Sequence, residues 1–201
     1  MHRSLPSLLT VAALTLFAGS ITVAKEAEVG QKAPDFSLTD TDGKTQTLKQ
    51  YAGKVVVLEW FNPDCPFVKY HHGQAHTMDK VFAKYKDKVV WLAINSSAEG
   101  KQGFGLERNK AARTEYGIDY PVLLDPTGQV GKTYGAKTTP HMFVINPEGN
   151  VVYRGAIDDN SSLKGEAQVN YVDQALRELF ASGKITVADT KSYGCSVKYA
   201  Q

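Results

Sequence analysis

The decapeptide Glu59-Trp60-Phe61-Asn62-Pro63-Asp64-Cys65-Pro66-Phe67-Val68 decides how this chain reads. It ends a near-continuous apolar run over residues 55–61, the pattern of a strand buried on both faces. A polar turn follows, then a cysteine and a proline. Proline suits the first helical position, where its missing N–H costs nothing, so Cys65 stands between a strand and a helix N-terminus. Backbone N–H groups and the positive end of a helix favour a thiolate there, drawing the pKa below the free value of about 8.5. The only other cysteine is Cys195, close to the C-terminus.

Working outward, residues 33–40 read as a short edge strand, Asp42-Gly43 as a turn and residues 45–48 as a returning strand. After Pro66 the period turns helical, with Ala75, Met78, Val81, Phe82 and Tyr85 at spacings of three and four; Gly73 marks a bend within that helix. Residues 89–94 form a second buried strand. A charged helix over 106–116 is stopped by Gly117, and a strand over 120–124 precedes a short helix near 130–134. Residues 142–145 and 151–154 pair as a hairpin around Asn146-Pro147-Glu148-Gly149-Asn150. A closing helix puts Val169, Val172, Leu176, Leu179 and Phe180 on one face, with Gly183 as its stop. That order of strands and helices makes an α/β chain with a mixed sheet covered by helices.

With 201 residues and 42% hydrophobic content, the chain is long enough for one domain with a substantial core. The formal charge of +2 comes from lysines spread among acids, without a basic stripe, which argues against a nucleic-acid partner. His2 and Arg3 precede an uncharged, mostly apolar stretch over residues 5–24, and Lys25 and Glu26 open a polar segment. This is the layout of a secretory signal peptide, with Thr22-Val23-Ala24 or Ala18-Gly19-Ser20 as small-residue cleavage sites. An uncleaved anchor is the alternative, since the stretch is about long enough to span a bilayer. Cleavage is favoured because Pro6 and several hydroxyl residues dilute it. The expectation is a periplasmic or secreted protein without a stable membrane anchor, in a compartment where two cysteines can persist as a disulfide.

These residues resemble the thioredoxin fold in its peroxiredoxin-like branch (the alkyl hydroperoxide reductase and thiol-specific antioxidant, or redoxin, superfamily). The resemblance runs from about Gly30 to Ser182. It rests on Ala33-Pro34-Asp35-Phe36, the strand-loop-Cys65-Pro66 junction, Thr138-Thr139-Pro140 before a strand and Asn146-Pro147-Glu148-Gly149 after it. Together with Tyr193-Gly194-Cys195-Ser196-Val197-Lys198, these segments are similar to a little-characterised peroxiredoxin-like group with a single active-site cysteine. The implied organisation is a signal peptide over 1–24, a thioredoxin-like domain over 25–183 with an N-terminal hairpin, and a C-terminal tail over 184–201. By the same resemblance Cys65 is the nucleophile and Glu59 the buried acid that moves protons near it. Pro140 is the cis-proline that lies against the cysteine and leaves its neighbouring backbone free to pair with a bound peptide.

The departures are as informative. Val68 stands where thioredoxins carry their second cysteine, so the short-range disulfide cannot form. Peroxiredoxins have Thr or Ser three residues before their cysteine and Pro seven before; here these are Asn62 and Leu58. The place of their peroxide-binding arginine falls at Pro140.

Each candidate also has a plainer reading. A free cysteine is often a small buried hydrophobe, although Cys65 sits in a polar loop at a helix start. Cys195 is a resolving thiol, half of a static bridge to Cys65, or a bystander. An acid amid Val55-Val56-Val57-Leu58 and Trp60-Phe61 is costly to bury unless used or paired. His72 and His76, at i and i+4, have the spacing of a metal pair and equally of surface residues. His141, beside Pro140, is expected near Cys65. Asn95-Ser96 and Asp158-Asp159-Asn160 read as loop residues at strand ends, and Arg154 as a surface pair.

The function expected is that of an exported thiol oxidoreductase and antioxidant enzyme. Cys65 attacks a peroxide or a protein disulfide, Glu59 assists proton transfer, Pro140 positions the partner, and Cys195 resolves. An external thiol is the reductant, and no cofactor or metal is assigned. The alternatives are a copper-binding module of the same fold, or an interaction domain that has lost the chemistry.

Overall fold

The computed structural model describes residues 26–200. The signal peptide read over residues 1–24 lies outside them. Among the described residues, no helix is long and apolar enough to cross a membrane.

The central strand is β3 (Val55–Trp60), buried at every position. It runs parallel to β4 (Val89–Asn95), with Val55 opposite Val89 and Glu59 opposite Ala93. It runs antiparallel to β7 (Met142–Ile145), with Glu59 opposite Met142. Around this core are β1 (Ser37–Asp40), β2 (Thr45–Thr47), β5 (Val122–Leu124) and β8 (Val151–Gly155), in the order β2-β1-β5-β4-β3-β7-β8. The apolar runs at 55–61 and 89–94 thus occupy the middle of a mixed sheet, where both faces are covered. The first strand is not at the edge as expected. β1 pairs with both β2 and β5, and β2 takes the rim.

The pleat sorts β3 between two cores. Val57 and Phe61 join Cys65, Val68, Trp91, Met142 and Val144 on one face. That face is covered by α2 (Thr77–Tyr85), α3 (Leu106–Tyr116) and α5 (Tyr171–Ser182), through Met78, Tyr116 and Leu176. Leu58 and Trp60 face the other way, toward Phe143, Ile145 and Tyr134 of α4 (Gln129–Tyr134). Trp60, Tyr134 and Phe143 pack with ring centroids 5.3–5.5 Å apart.

The single helix expected after Pro66 is broken. α1 (Pro66–Lys69) passes into a π-helical turn at Tyr70–Gln74, His76 adopts a left-handed conformation, and α2 begins at Thr77. The bend expected at Gly73 is therefore a change of helical register. The closing helix is shorter than its apolar pattern. Asn170 caps α5 by accepting the Asp173 N–H at 2.8 Å, leaving Val169 outside it and exposed. Phe180 is 40% exposed, so the buried stripe is Val172, Ala175 and Leu176. Gly183 ends the helix as expected.

The tail folds back over the domain. Asp189 bridges Arg154, and Cys195–Ser196 forms β9, antiparallel to β6 (Thr138–Thr139). Val197 enters the second core, with Tyr199 packed against it.

Candidate active site

β3 ends at Trp60, and the turn that follows is held by its own polar groups. Asn62 Oδ1 accepts the Asp64 N–H, and the Cys65 N–H reaches back to the Asn62 carbonyl. Asn62 Nδ2 donates to Ser97 Oγ and the Gln102 carbonyl, while Arg108 clamps Asp64 at 2.8–2.9 Å. The residue that replaces the peroxiredoxin Thr or Ser thus has a structural task. Cys65 caps α1, with Pro66 at the first helical position. Its side chain is fully buried and its Sγ–H donates to the Thr139 carbonyl at 3.0 Å. The polar loop delivers the cysteine into the apolar core instead of to solvent.

The Thr139–Pro140 bond is cis, as the resemblance implied. The backbone beside it is not free, however. Thr139 pairs with Cys195 across the β6–β9 ladder, so the chain's own tail occupies the edge expected to receive a peptide. Cys195 is thereby brought beside the Cys65 thiol, close enough for the two to influence each other, and both cysteines are free. Burial pushes the Cys195 pKa up to about 11, and the adjoining Cys65 adds to this. Lys198 and the Phe67 N–H oppose it. The tail carries more than this cysteine. Tyr193 packs beside Phe67 with the rings tilted, donates its hydroxyl to Asp158 Oδ1, and lies 3.0 Å from His71 Nε2.

Glu59 lies on the Cys65 face of β3, wholly enclosed. Its carboxylate receives Trp91 Nε1–H at 3.1 Å and Tyr120 O–H at 3.0 Å on Oε2, and meets His72 Nε2 at 2.8 Å on Oε1. Burial opposes a charged His72 imidazole, but Glu59 and Asp79 outweigh it and raise the pKa to about 9. His72 therefore faces Glu59 as an imidazolium. Burial of such a pair is tolerable when the geometry is close and the remaining polar atoms are engaged; the Glu59 oxygens are, whereas His72 Nδ1 has no hydrogen-bond partner and lies 3.6 Å from Asp79.

The histidines are placed otherwise than the sequence suggested. His71 and His72 are fully buried, and only His76 is at the surface, bonded to Asp79 at 3.0 Å. His71 meets Thr77 Oγ1 at 3.1 Å and lies 3.8 Å from Asp158, and burial holds its pKa below the usual range. His141 does not approach Cys65. Met142 faces the Cys65 core, so its neighbour His141 turns to the opposite side of the sheet. There it packs on Phe143 and accepts the Lys137 N–H at 3.2 Å. Among the described residues, no group of three or more histidine, cysteine, aspartate or glutamate side chains is placed to hold a metal ion. Asp158 is buried beneath Tyr193, and Asn95 and Ser96 belong to a buried network with Asn109 and Asp125. They lie at or just beyond strand ends, as expected, but are buried. Arg154 forms its surface pair with Asp189 at 2.7 Å.

His72, Trp91, Tyr120, Asp158 and Tyr193 are the site residues that sequence reasoning missed. For Tyr193 a signal existed, because it stands two residues before Cys195, the spacing that puts two side chains on one side of an extended segment.

A mixed sheet whose central strand leads into a helix-capping cysteine, packed against a cis X–Pro segment, places the molecule among the thioredoxin-like proteins. A solved structure of a hypothetical protein from Sinorhizobium meliloti 1021 superposes with a TM-score of 0.77 at 26% identity, covering 88% of this chain and 97% of that one. The Redoxin family profile matches residues 28–176, and the chain belongs to the Redoxin family. Among its relatives, the thiol-disulfide oxidoreductase ResA of Bacillus thuringiensis subsp. konkukian is 28% identical over 82% of this chain and 86% of its own length. ResA of Bacillus subtilis is 31% identical over 68% of this chain and 70% of its own length.

Proposed function

We propose that this chain is an exported thiol-disulfide oxidoreductase whose working pair is Cys65 and Cys195. The observation that carries the reading is that the Thr139–Cys195 register brings a second free thiol beside Cys65. In the forward direction the Cys65 thiolate attacks a client disulfide. One client sulfur joins Cys65 in a mixed disulfide and the other leaves as a thiolate that takes up a proton. Cys195 then attacks Cys65 Sγ, the first client sulfur leaves as a thiolate, and a Cys65–Cys195 disulfide remains. An external dithiol reduces it and restores the pair.

The surroundings of Cys195 suit the second step. Two influences that raise its pKa come from Cys65 itself. Conversion of Cys65 to a mixed disulfide removes both, while the Phe67 N–H and Lys198 still favour the thiolate. Glu59, coupled to His72 on the same sheet face, is the proton-handling group. Pro140 holds the Thr139 carbonyl against Cys65. A disulfide is preferred to a peroxide as substrate because the relatives above are named for disulfide chemistry, and because Pro140 takes the place of the peroxide-binding arginine. Export is supported by the leader-like residues 1–24.

The test is turnover of a fluorescent peptide disulfide with a dithiol reductant. Wild type turns over, Cys65→Ser falls by at least a thousandfold, and Cys195→Ser accumulates a Cys65–peptide mixed disulfide visible by mass spectrometry. Equal rates for wild type and Cys65→Ser overturn the proposal.

A further inference from the structure

The tail that brings Cys195 to the site also closes it. Cys65 has no exposed surface, so a protein disulfide cannot reach it in this conformation. The contacts of the tail divide into fixed ends and a lightly held centre. Upstream, Thr190 is sewn to β8. Its N–H donates to the Arg154 carbonyl, its Oγ1 accepts the Ala156 N–H, and it shares a hydrogen bond with Tyr153. Downstream, Val197 is buried with its N–H on the Lys137 carbonyl, the Lys198 carbonyl accepts the Ala98 N–H, and Tyr199 donates to the Ala136 carbonyl.

Between these anchors, residues 191–196 are held by the two-residue β6–β9 ladder, by Tyr193, and by Cys195 packed against the core near the Phe67 N–H. Tyr193 is the one long side chain of this segment set into the domain, bonded to buried Asp158 and His71 and packed on Phe67. Gly194 permits the close approach. At φ +132° it lies where a side chain would overlap the Thr139 carbonyl.

We propose that residues 191–196 are a strap over Cys65 and that Tyr193 is its latch. The inference rests on the thiol-disulfide reading above and adds how that site is gated. A client disulfide gains Cys65 when Tyr193 leaves Asp158 and His71 and β9 lifts from β6. The same contacts then return Cys195 to the mixed disulfide. Tyr193 is thus a positioning residue with opposite effects on the two half-reactions: it slows attack by Cys65 and speeds resolution by Cys195.

The experiment compares wild type with Tyr193→Phe, which keeps the ring and removes the hydroxyl. Alkylation of Cys65 by iodoacetamide, followed by peptide mass spectrometry in the reduced protein, reads strap opening without any client. A hydrogen bond to a charged acceptor sets the scale, and alkylation rises on the order of tenfold in the variant. Release of a peptide from a preformed Cys65–peptide mixed disulfide slows by a similar factor. Amide exchange in β3 and β4 stays unchanged, while that of Cys195 quickens. Asp158→Asn moves both rates the same way. Equal alkylation rates in wild type and Tyr193→Phe overturn the proposal, as does a wild-type Cys65 that reacts as fast as free cysteine at the same pH. If alkylation rises tenfold while neither protein reduces a disulfide, the strap stands and the oxidoreductase reading fails.

Discussion

Two histidines buried on opposite faces of the central sheet, His72 and His141, are held in opposite states. On the Cys65 face, His72 sits 2.8 Å from Glu59 with Asp79 behind it, and these carboxylates keep the imidazole charged. On the other face, His141 packs on Phe143. Burial, reinforced by Arg154 and Lys137, pulls its pKa down to about 4 and leaves it neutral. Both side chains are nearly or wholly out of water. Burial alone therefore does not decide protonation; the charge facing the ring does. The aromatic face around Trp60 serves stability, whereas the Cys65 face holds a charge pair and two thiols.

The largest expected effect comes from removing that charge. Glu59→Leu leaves buried His72 without its counter-ion and strips Trp91 and Tyr120 of their acceptor. Unfolding in urea should register a loss of about 3–5 kcal/mol, and the His72 pKa measured by NMR should fall below 6.5. A stable variant with an unaltered His72 titration would break the contrast between the faces.

pH separates the histidines next. His72 has a folded pKa raised above its unfolded value of about 6.5. Its stabilisation is full below pH 6.5 and is lost as pH rises through about 9. His141 is the reverse case. Its folded pKa is depressed, so its contribution is present above pH 6.5 and is lost as pH falls through about 4. Each limb amounts to about 3 kcal/mol. Urea midpoints across pH 4–9 should show both, with His72→Gln flattening the alkaline limb and His141→Asn reducing the acid one, to which buried His71, its pKa also lowered, contributes as well. A single variant that flattened both limbs would merge what the structure separates.

The smallest effect sharpens the picture of the Glu59 site. Tyr120→Phe removes one of three donors to the carboxylate and should cost about 1 kcal/mol in the same urea assay. It should leave the His141 limb untouched.

Much of this molecule was legible in its sequence, for reasons that differ by element. The runs at 55–61 and 89–94 announced central strands because burial on both faces removes polar residues from every position. The Cys65-Pro66 junction announced a helix start because capping is a local preference. Glu59 stood out because an acid is costly within such a run. The histidines were misplaced because the π-helical turn at Tyr70–Gln74 breaks the 3.6-residue period and turns both His71 and His72 inward. His141 followed the strand period of two, but its face depends on which way Met142 points, which only packing reveals.

The sequence by itself determined the thioredoxin-like plan, through several short motifs in order, and the Cys65 cap and the acid in the central strand, which are written in contiguous residues. Tertiary structure alone decided the partners: Cys195 beside Cys65 and Tyr193 on Asp158, 130 and 35 residues apart in sequence, and His72 on Glu59. Such contacts depend on where the chain returns, which the hydrophobic and hydrogen-bonding balance of the whole domain sets, and no local pattern encodes it.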